Sequence, residues 1–140
     1  DLSYNLIIRI LLIASGGTAG YCAISESNRS DYALEYIQAW LAHPYTEKVF
    51  QIQGSDFENG FTARGTFLLK KLPFVKLDFT DDKQKELYDN VIFMTRKIYE
   101  LNHQMILHPD KKSKGVLENE KNKNIVEIQK LIEKVYKQKF

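Results

Sequence analysis

From Gln84 onward, Gln84, Leu87, Val91, Met94, Ile98, Leu101 and Met105 recur at alternating spacings of three and four residues. A stripe of that period is stable as one side of a helix laid against another apolar surface, so the spacing predicts a coiled-coil seam. Asp81 and Gln84 together predict a capping box at its start, and Pro109 stops the helix. A helix over residues 81–107 would be about 40 Å long at 1.5 Å per residue. Beyond a polar connection that begins Asp110-Lys-Lys-Ser-Lys-Gly115, a second stripe follows: Ile125, Ile128, Ile132 and Val135. Each stripe needs a partner and the connection is long enough to reverse the chain. An antiparallel helical hairpin over residues 80–140 is therefore expected.

The first half reads differently. The run Leu6 to Ala14 has the length and β-branched content of a buried strand, Ser15-Gly16-Gly17 is a turn signal, and Thr18 to Ser25 alternates well enough to be the partner strand. Arg9 interrupts the run, Asp1 rather than basic residues leads it, and nine residues fall well short of the roughly 20 that cross a bilayer, so it does not read as a secretory leader. Ser30 or Asp31 can N-cap a helix with Ala33, Leu34, Ile37, Trp40 and Leu41 on one face. His43-Pro44 ends it, and Pro44 is placed to open a second helix through about Gln53 that buries Val49 and Phe50. Gly54 to Gly60 reads as a loop, Phe61 to Phe67 as extended, and Leu68 to Leu72 as a helical turn stopped by Pro73. The expected class is α+β: a small β-rich body with short helices over residues 1–79, then a long antiparallel helical hairpin over 80–140.

With 44% hydrophobic and 27% charged side chains in 140 residues, the composition fits a globular chain able to bury a core without metals or disulfides. Cys22 is the single cysteine, which permits no internal disulfide and suits a reducing cytoplasm. A start at Asp1 without methionine suggests a piece of something longer. The net charge of +2 hides an asymmetry: residues 1–109 carry 11 Lys/Arg against 13 Asp/Glu, and residues 110–140 carry 9 against 5. There is no pervasive basic field, so any nucleic-acid binding must be local.

Catalytic chemistry is hard to find. His43, His103 and His108 have no zinc-ligand spacing, and one thiol cannot complete a thiolate site. Gly16-Gly17-Thr18-Ala19-Gly20 lacks the glycine spacing and Lys-Ser/Thr of a phosphate loop, and the strand expected after it suits a hairpin turn better. Pro109-Asp110 has no Glu-x-Lys downstream to make a nuclease metal site. No nucleophile, base and stabiliser form a set, so no metal or catalytic residue is assigned. Arg64, Lys70 and Lys71 bracket a segment with Gly and Thr, and Asn28-Arg29 follows the strand pair. Such residues suit phosphates or base edges, although Lys and Arg are mostly solvated surface in any protein.

The order of the pieces resembles the target recognition domains of type I restriction-modification specificity subunits and the related C-terminal recognition regions of type IIG restriction enzyme–methyltransferases. Four segments carry the resemblance. Ile8 to Ile24, with Ser15-Gly-Gly-Thr-Ala-Gly20 at its centre, is similar to the family's strand, glycine-rich turn and strand. Asp31 to Tyr45 is similar to the helix that follows it. Gly60-Phe-Thr62 and Phe67-Leu-Leu-Lys-Lys-Leu-Pro73 resemble the Gly-x-Thr and Leu-x-x-Leu-Pro pieces that close the recognition domain. Asp82-Lys-Gln-Lys-Glu-Leu87 and the heptads resemble the helical spacer, with Val135-Tyr136 near the end of its return helix. Two departures stand out: only residues 25–30 separate the hairpin from the first helix, and Phe74-Val75 follows Pro73 where relatives carry Ile-Pro.

The resemblance implies a non-catalytic module that reads sequence in duplex DNA while a partner methyltransferase domain or subunit transfers methyl from S-adenosylmethionine to adenine N6. The chain has no Asn/Asp-Pro-Pro-Tyr/Phe motif of its own, so the cofactor would sit on the partner. Ser15, Thr18, Asn28, Arg29, Thr62 and Arg64 are expected near DNA, with Lys70 and Lys71 on its backbone. No membrane role is expected, and the location is cytoplasmic. The alternative is a helical-hairpin adaptor for protein interaction or dimerisation, without DNA readout.

Overall fold

A computed structural model describes residues 6–7, 10–14, 21–25, 31–53 and 72–140. The chain divides into two compact units, Asp1–Phe74 and Val75–Phe140.

In the first unit three short strands form an antiparallel sheet in sequence order: β1 (Leu6–Ile7), β2 (Ile10–Ala14) and β3 (Tyr21–Ser25). Ile7 pairs with Ile10 and Leu6 with Leu11, so the apolar run doubles back rather than forming one strand over 6–14. β2 then pairs with β3, from Ile10 opposite Ser25 to Ala14 opposite Tyr21.

Helix α1 (Leu34–Leu41) follows. Its N-cap is Ala33, in extended conformation with no side-chain cap bond, rather than Ser30 or Asp31. Its burial is not one-sided either. Leu34, Glu35, Tyr36, Gln38, Ala39, Trp40 and Leu41 are all buried, whereas Ile37 is only half-buried. α1 touches both β2 and the next helix, α2 (Pro44–Gln53), and its aromatic residues meet Phe74. The Phe74 ring stands edge-on to Tyr32, Tyr36 and Trp40, at centroid distances of 4.9, 6.2 and 5.1 Å. Edge-to-face rings at such distances add about 0.5–1.5 kcal/mol each beyond their buried area.

The α1–α2 corner explains His43-Pro44. Pro44 occupies the first position of α2, where its missing N–H costs nothing. Buried His43 supplies the cap: its Nδ1 accepts from the Tyr45 backbone N–H at 3.0 Å, and its carbonyl accepts from Thr46 and Glu47 N–H. The Thr46 hydroxyl donates to the Trp40 carbonyl at 2.7 Å, satisfying a buried end of α1.

The second unit is a helical hairpin of α3 (Asp82–Leu107) and α4 (Lys111–Lys137). The helices pack along their length, and Lys83 and Leu87 share one groove with Leu131 and Phe140, which fixes the antiparallel sense. The expected polar connection from Asp110 to beyond Gly115 does not exist as a loop. Only residues 108–110 separate the helices, because Asp110 accepts from the Ser113 N–H at 2.9 Å and starts α4 at Lys111. The α3 stripe is also rotated from its expected track. Leu87, Val91, Ile98 and Leu101 are buried as expected, but Tyr88 and Thr95 join them while Met94 and Met105 stay half-buried. For Tyr88 the Phe79 ring, 4.8 Å from its own, shows why: the segment before α3, which includes buried Leu77, belongs to this unit. Opposite, Ile128, Ile132 and Val135 are fully buried.

The expectation of an α+β fold with a β-rich body is thus overturned. Strands of 2, 5 and 5 residues stand against helices of 8, 10, 26 and 27, and the described residues are mostly helical. Turn signals and β-branched residues fix short pairings, but α1 is buried on several faces in the first unit, and helix length dominates the second.

Candidate functional site

All eight residues expected near DNA, Ser15, Thr18, Asn28, Arg29, Thr62, Arg64, Lys70 and Lys71, lie outside the described residues. Along the chain, β2 and β3 lie on either side of residues 15–20. Among the described residues no group of three or more His, Cys, Asp or Glu side chains could hold a metal. His43 caps a helix, His103 is exposed on α3, and His108 is exposed at the α3 C-terminus. No helix among the described residues is long and apolar enough to cross a membrane.

The hairpin offers the described surface with the clearest chemistry. Its ends are fixed by acidic caps. Asp78 accepts from both the hydroxyl and the N–H of Thr80, which hold its carboxyl below the usual carboxylate range. Gln84 departs from the expected capping box: its amide N–H donates to the Asp81 carboxylate and its carbonyl takes the Asp78 N–H, not that of Asp81. At the turn, hydrogen bonds from the Ser113 backbone and side chain lower the Asp110 carboxyl pKa. Gln138 closes α4 in the left-handed conformation (φ 52°), with Lys139 N–H bonded to the Lys134 carbonyl, a Schellman end.

Charge separates between the two helices. α3 carries four basic and four acidic residues; α4 carries eight lysines and four glutamates. Within α4, Lys112, Lys123, Lys130 and Lys137 follow one another at spacings of 11, 7 and 7, each close to a whole number of turns, so they share one face. That face lies opposite the seam, since Lys130 and Lys137 each stand two residues, or about 200°, beyond buried Ile128 and Val135. All four lysines are exposed. Lys130 pairs with Glu127 and Lys137 with Glu133, with every partner more than a third exposed. The excess charge of this region is visible in the sequence, but composition puts its first lysines in a loop; the 11, 7, 7 spacing is the sequence signal of the row.

At the turn end sits a second kind of surface. Ile106, Leu107 and Val116 are 76%, 56% and 63% exposed, and Val116 with Leu117 lines a shallow hollow beside His108, Lys112 and Ser113.

No family model matches the chain, and no solved structure matches it. Over 104 residues the chain is 38% identical to the type II restriction enzyme and methyltransferase RM.Eco57I of Escherichia coli, an alignment covering 65% of this chain and 10% of that protein. The chain spans about a tenth of the length of this curated relative. That similarity relates the chain to restriction-modification proteins.

Proposed function

We propose that this chain is a non-catalytic DNA sequence-recognition module of a restriction-modification adenine methyltransferase system, positioning a catalytic partner domain on duplex DNA. The observation that carries the reading is its similarity to a restriction enzyme and methyltransferase of which it matches only a small part. A segment of that size suits a module rather than a whole enzyme. The methyl donor, S-adenosylmethionine, belongs in this reading to the partner domain. Ser15, Thr18, Asn28, Arg29, Thr62 and Arg64 would face DNA, with base-edge contacts giving sequence information; Lys70 and Lys71 on the phosphates would set register.

The test is duplex binding by the chain and by its parent protein. Affinity falls steeply as salt rises, and combined Arg64→Ala, Lys70→Ala and Lys71→Ala substitution weakens it. Indifference both to salt and to the triple substitution would sink the reading. An adaptor role is favoured by one observation, the exposed apolar residues at the hairpin turn, Ile106, Leu107 and Val116. It gains ground where placing charge on this apolar patch, as Ile106→Asp with Leu107→Asp, abolishes assembly with the catalytic region and leaves DNA selection unchanged.

A further inference from the structure

We infer that the solvent face of α4 is a second, sequence-independent DNA surface: Lys112, Lys123, Lys130 and Lys137 form a row that rests on the phosphate backbone of duplex DNA. The inference rests on the reading of the chain as a DNA-binding module and adds a surface which that reading does not contain.

Three features of the row carry it. First is its placement. Helix α4 spends its apolar side on α3 through Ile128, Ile132 and Val135, and the row stands opposite, exposed along the helix. Second is its length. From Lys112 to Lys137 a helix rises about 37 Å, comparable with the roughly 34–36 Å of one DNA turn. Third is charge separation, since packing the hairpin does not require it. α3 balances its charges and keeps its exposed Lys85 against Asp89 at 2.8 Å, whereas α4 carries twice as many lysines as glutamates. A face that only needed solubility could alternate signs, as α3 does. An excess of four like charges on one helix repels itself, and a polyanion relieves the repulsion.

The two ion pairs on the row do not close it. Lys130–Glu127 and Lys137–Glu133 are exposed surface pairs within one helix, weakened by solvent screening, and a phosphate can displace either carboxylate. Asn119 and Asn122 line a shallow hollow with Lys123 and add neutral amide donors of the kind that reach phosphate and sugar oxygens. Flexible ammonium groups suit this task, because a point charge on a long stem tolerates any sequence and any phosphate spacing, whereas base reading wants planar, fixed donors.

The full chain is titrated with a mixed-sequence duplex of about 30 base pairs, roughly three turns, across a salt series. The comparison is with the variant carrying Lys112→Gln, Lys123→Gln, Lys130→Gln and Lys137→Gln, after circular dichroism shows its helix content unchanged. Each phosphate contact contributes about 0.9 to the slope of log affinity against log salt, so the variant slope is shallower by up to about 3.6. The loss is the same for every duplex sequence tried. A control variant with Lys83→Gln, Lys85→Gln and Lys97→Gln on α3 leaves the slope within about 1 of the original chain. Where the original chain binds with a steep slope and the α4 variant matches it, the row is not a DNA surface and is left for an acidic protein partner; the recognition reading survives. Equal slope losses in the α4 and α3 variants also overturn the inference, because general charge then explains the effect. Failure of the original chain to bind duplex at low salt overturns both readings.

Discussion

The two units bury their helices in different ways. In the first, α1 is surrounded: β2, α2 and Phe74 cover it from several directions, and the buried set includes Glu35 and Gln38 as well as Trp40. His43 and Thr46 extend that polar interior into the α1–α2 corner, where each makes a hydrogen bond. In the second, α3 and α4 each bury one narrow stripe, and Thr95 is the polar residue within it, its hydroxyl without a hydrogen-bond partner among the described residues. A helix covered on all sides has no apolar period to read, while a helix with one neighbour announces its buried face. The first unit therefore buries α1 on several faces, with the Trp40 Nε1 left without a hydrogen-bond partner among the described residues, and the second depends on continuity of an apolar strip.

Truncation in each centre breaks the comparison most severely. Trp40→Ala in α1 costs about 3–5 kcal/mol and Ile128→Ala in α4 about 2–5, read by chemical denaturation. Tertiary aromatic signals fall first in the former, helical signal in the latter. If Trp40→Ala has no effect on near-ultraviolet dichroism, α1 is not the centre of its unit.

Polar substitutions should move the units in opposite directions. Thr46→Val removes the shorter of two bonds to the Trp40 carbonyl, which keeps the His43 N–H at 3.3 Å, and destabilises by about 0.5–1.5 kcal/mol. Thr95→Val keeps the shape and removes an unbonded hydroxyl, so the hairpin gains about 1 kcal/mol. Two changes of the same sign would erase the distinction. At the C-terminal end, Gln138→Gly relieves a left-handed residue and raises the hairpin melting temperature slightly, by about 0.5 kcal/mol of stability.

The smallest effect is the most specific. The Asp110 carboxyl is held below its ordinary pKa by the Ser113 bonds, so its capping contribution is present above the unfolded value of about 3.9 and fades as pH falls through the lower folded value. Helicity at the start of α4 then declines in acid. Asp110→Asn, which can cap without titrating, flattens that decline. A decline unchanged by Asp110→Asn would assign it elsewhere.

Much of the hairpin was legible. Leu87, Val91, Ile98, Leu101, Ile128, Ile132 and Val135 are buried in the structure. What escaped was the short turn, because Asp110-Lys-Lys-Ser113 reads as a polar loop by composition and as a helix start only through the Asp110 to Ser113 bond. Tyr88 escaped too, since the Phe79 ring that packs on it lies outside the helix. For α1 the expected face held Leu34, Trp40 and Leu41 but omitted Glu35, Tyr36 and Gln38, which become buried only when sheet, second helix and Phe74 meet.

By itself the sequence determined where helices could run: Pro44 and Pro109 fix boundaries through a locked φ and a missing donor, and the stripes at 87–101 and 128–135 demand each other. It also set the charge excess near the end of the chain. Tertiary structure decided the rest, namely that the apolar run near the start folds back on itself, that α1 is wrapped, and that the lysines after Asp110 are carried on a continuous helix as a row. The reason is physical. Local propensity and period act within a few residues of chain, whereas burial and the alignment of like charges depend on which surfaces the neighbouring elements cover.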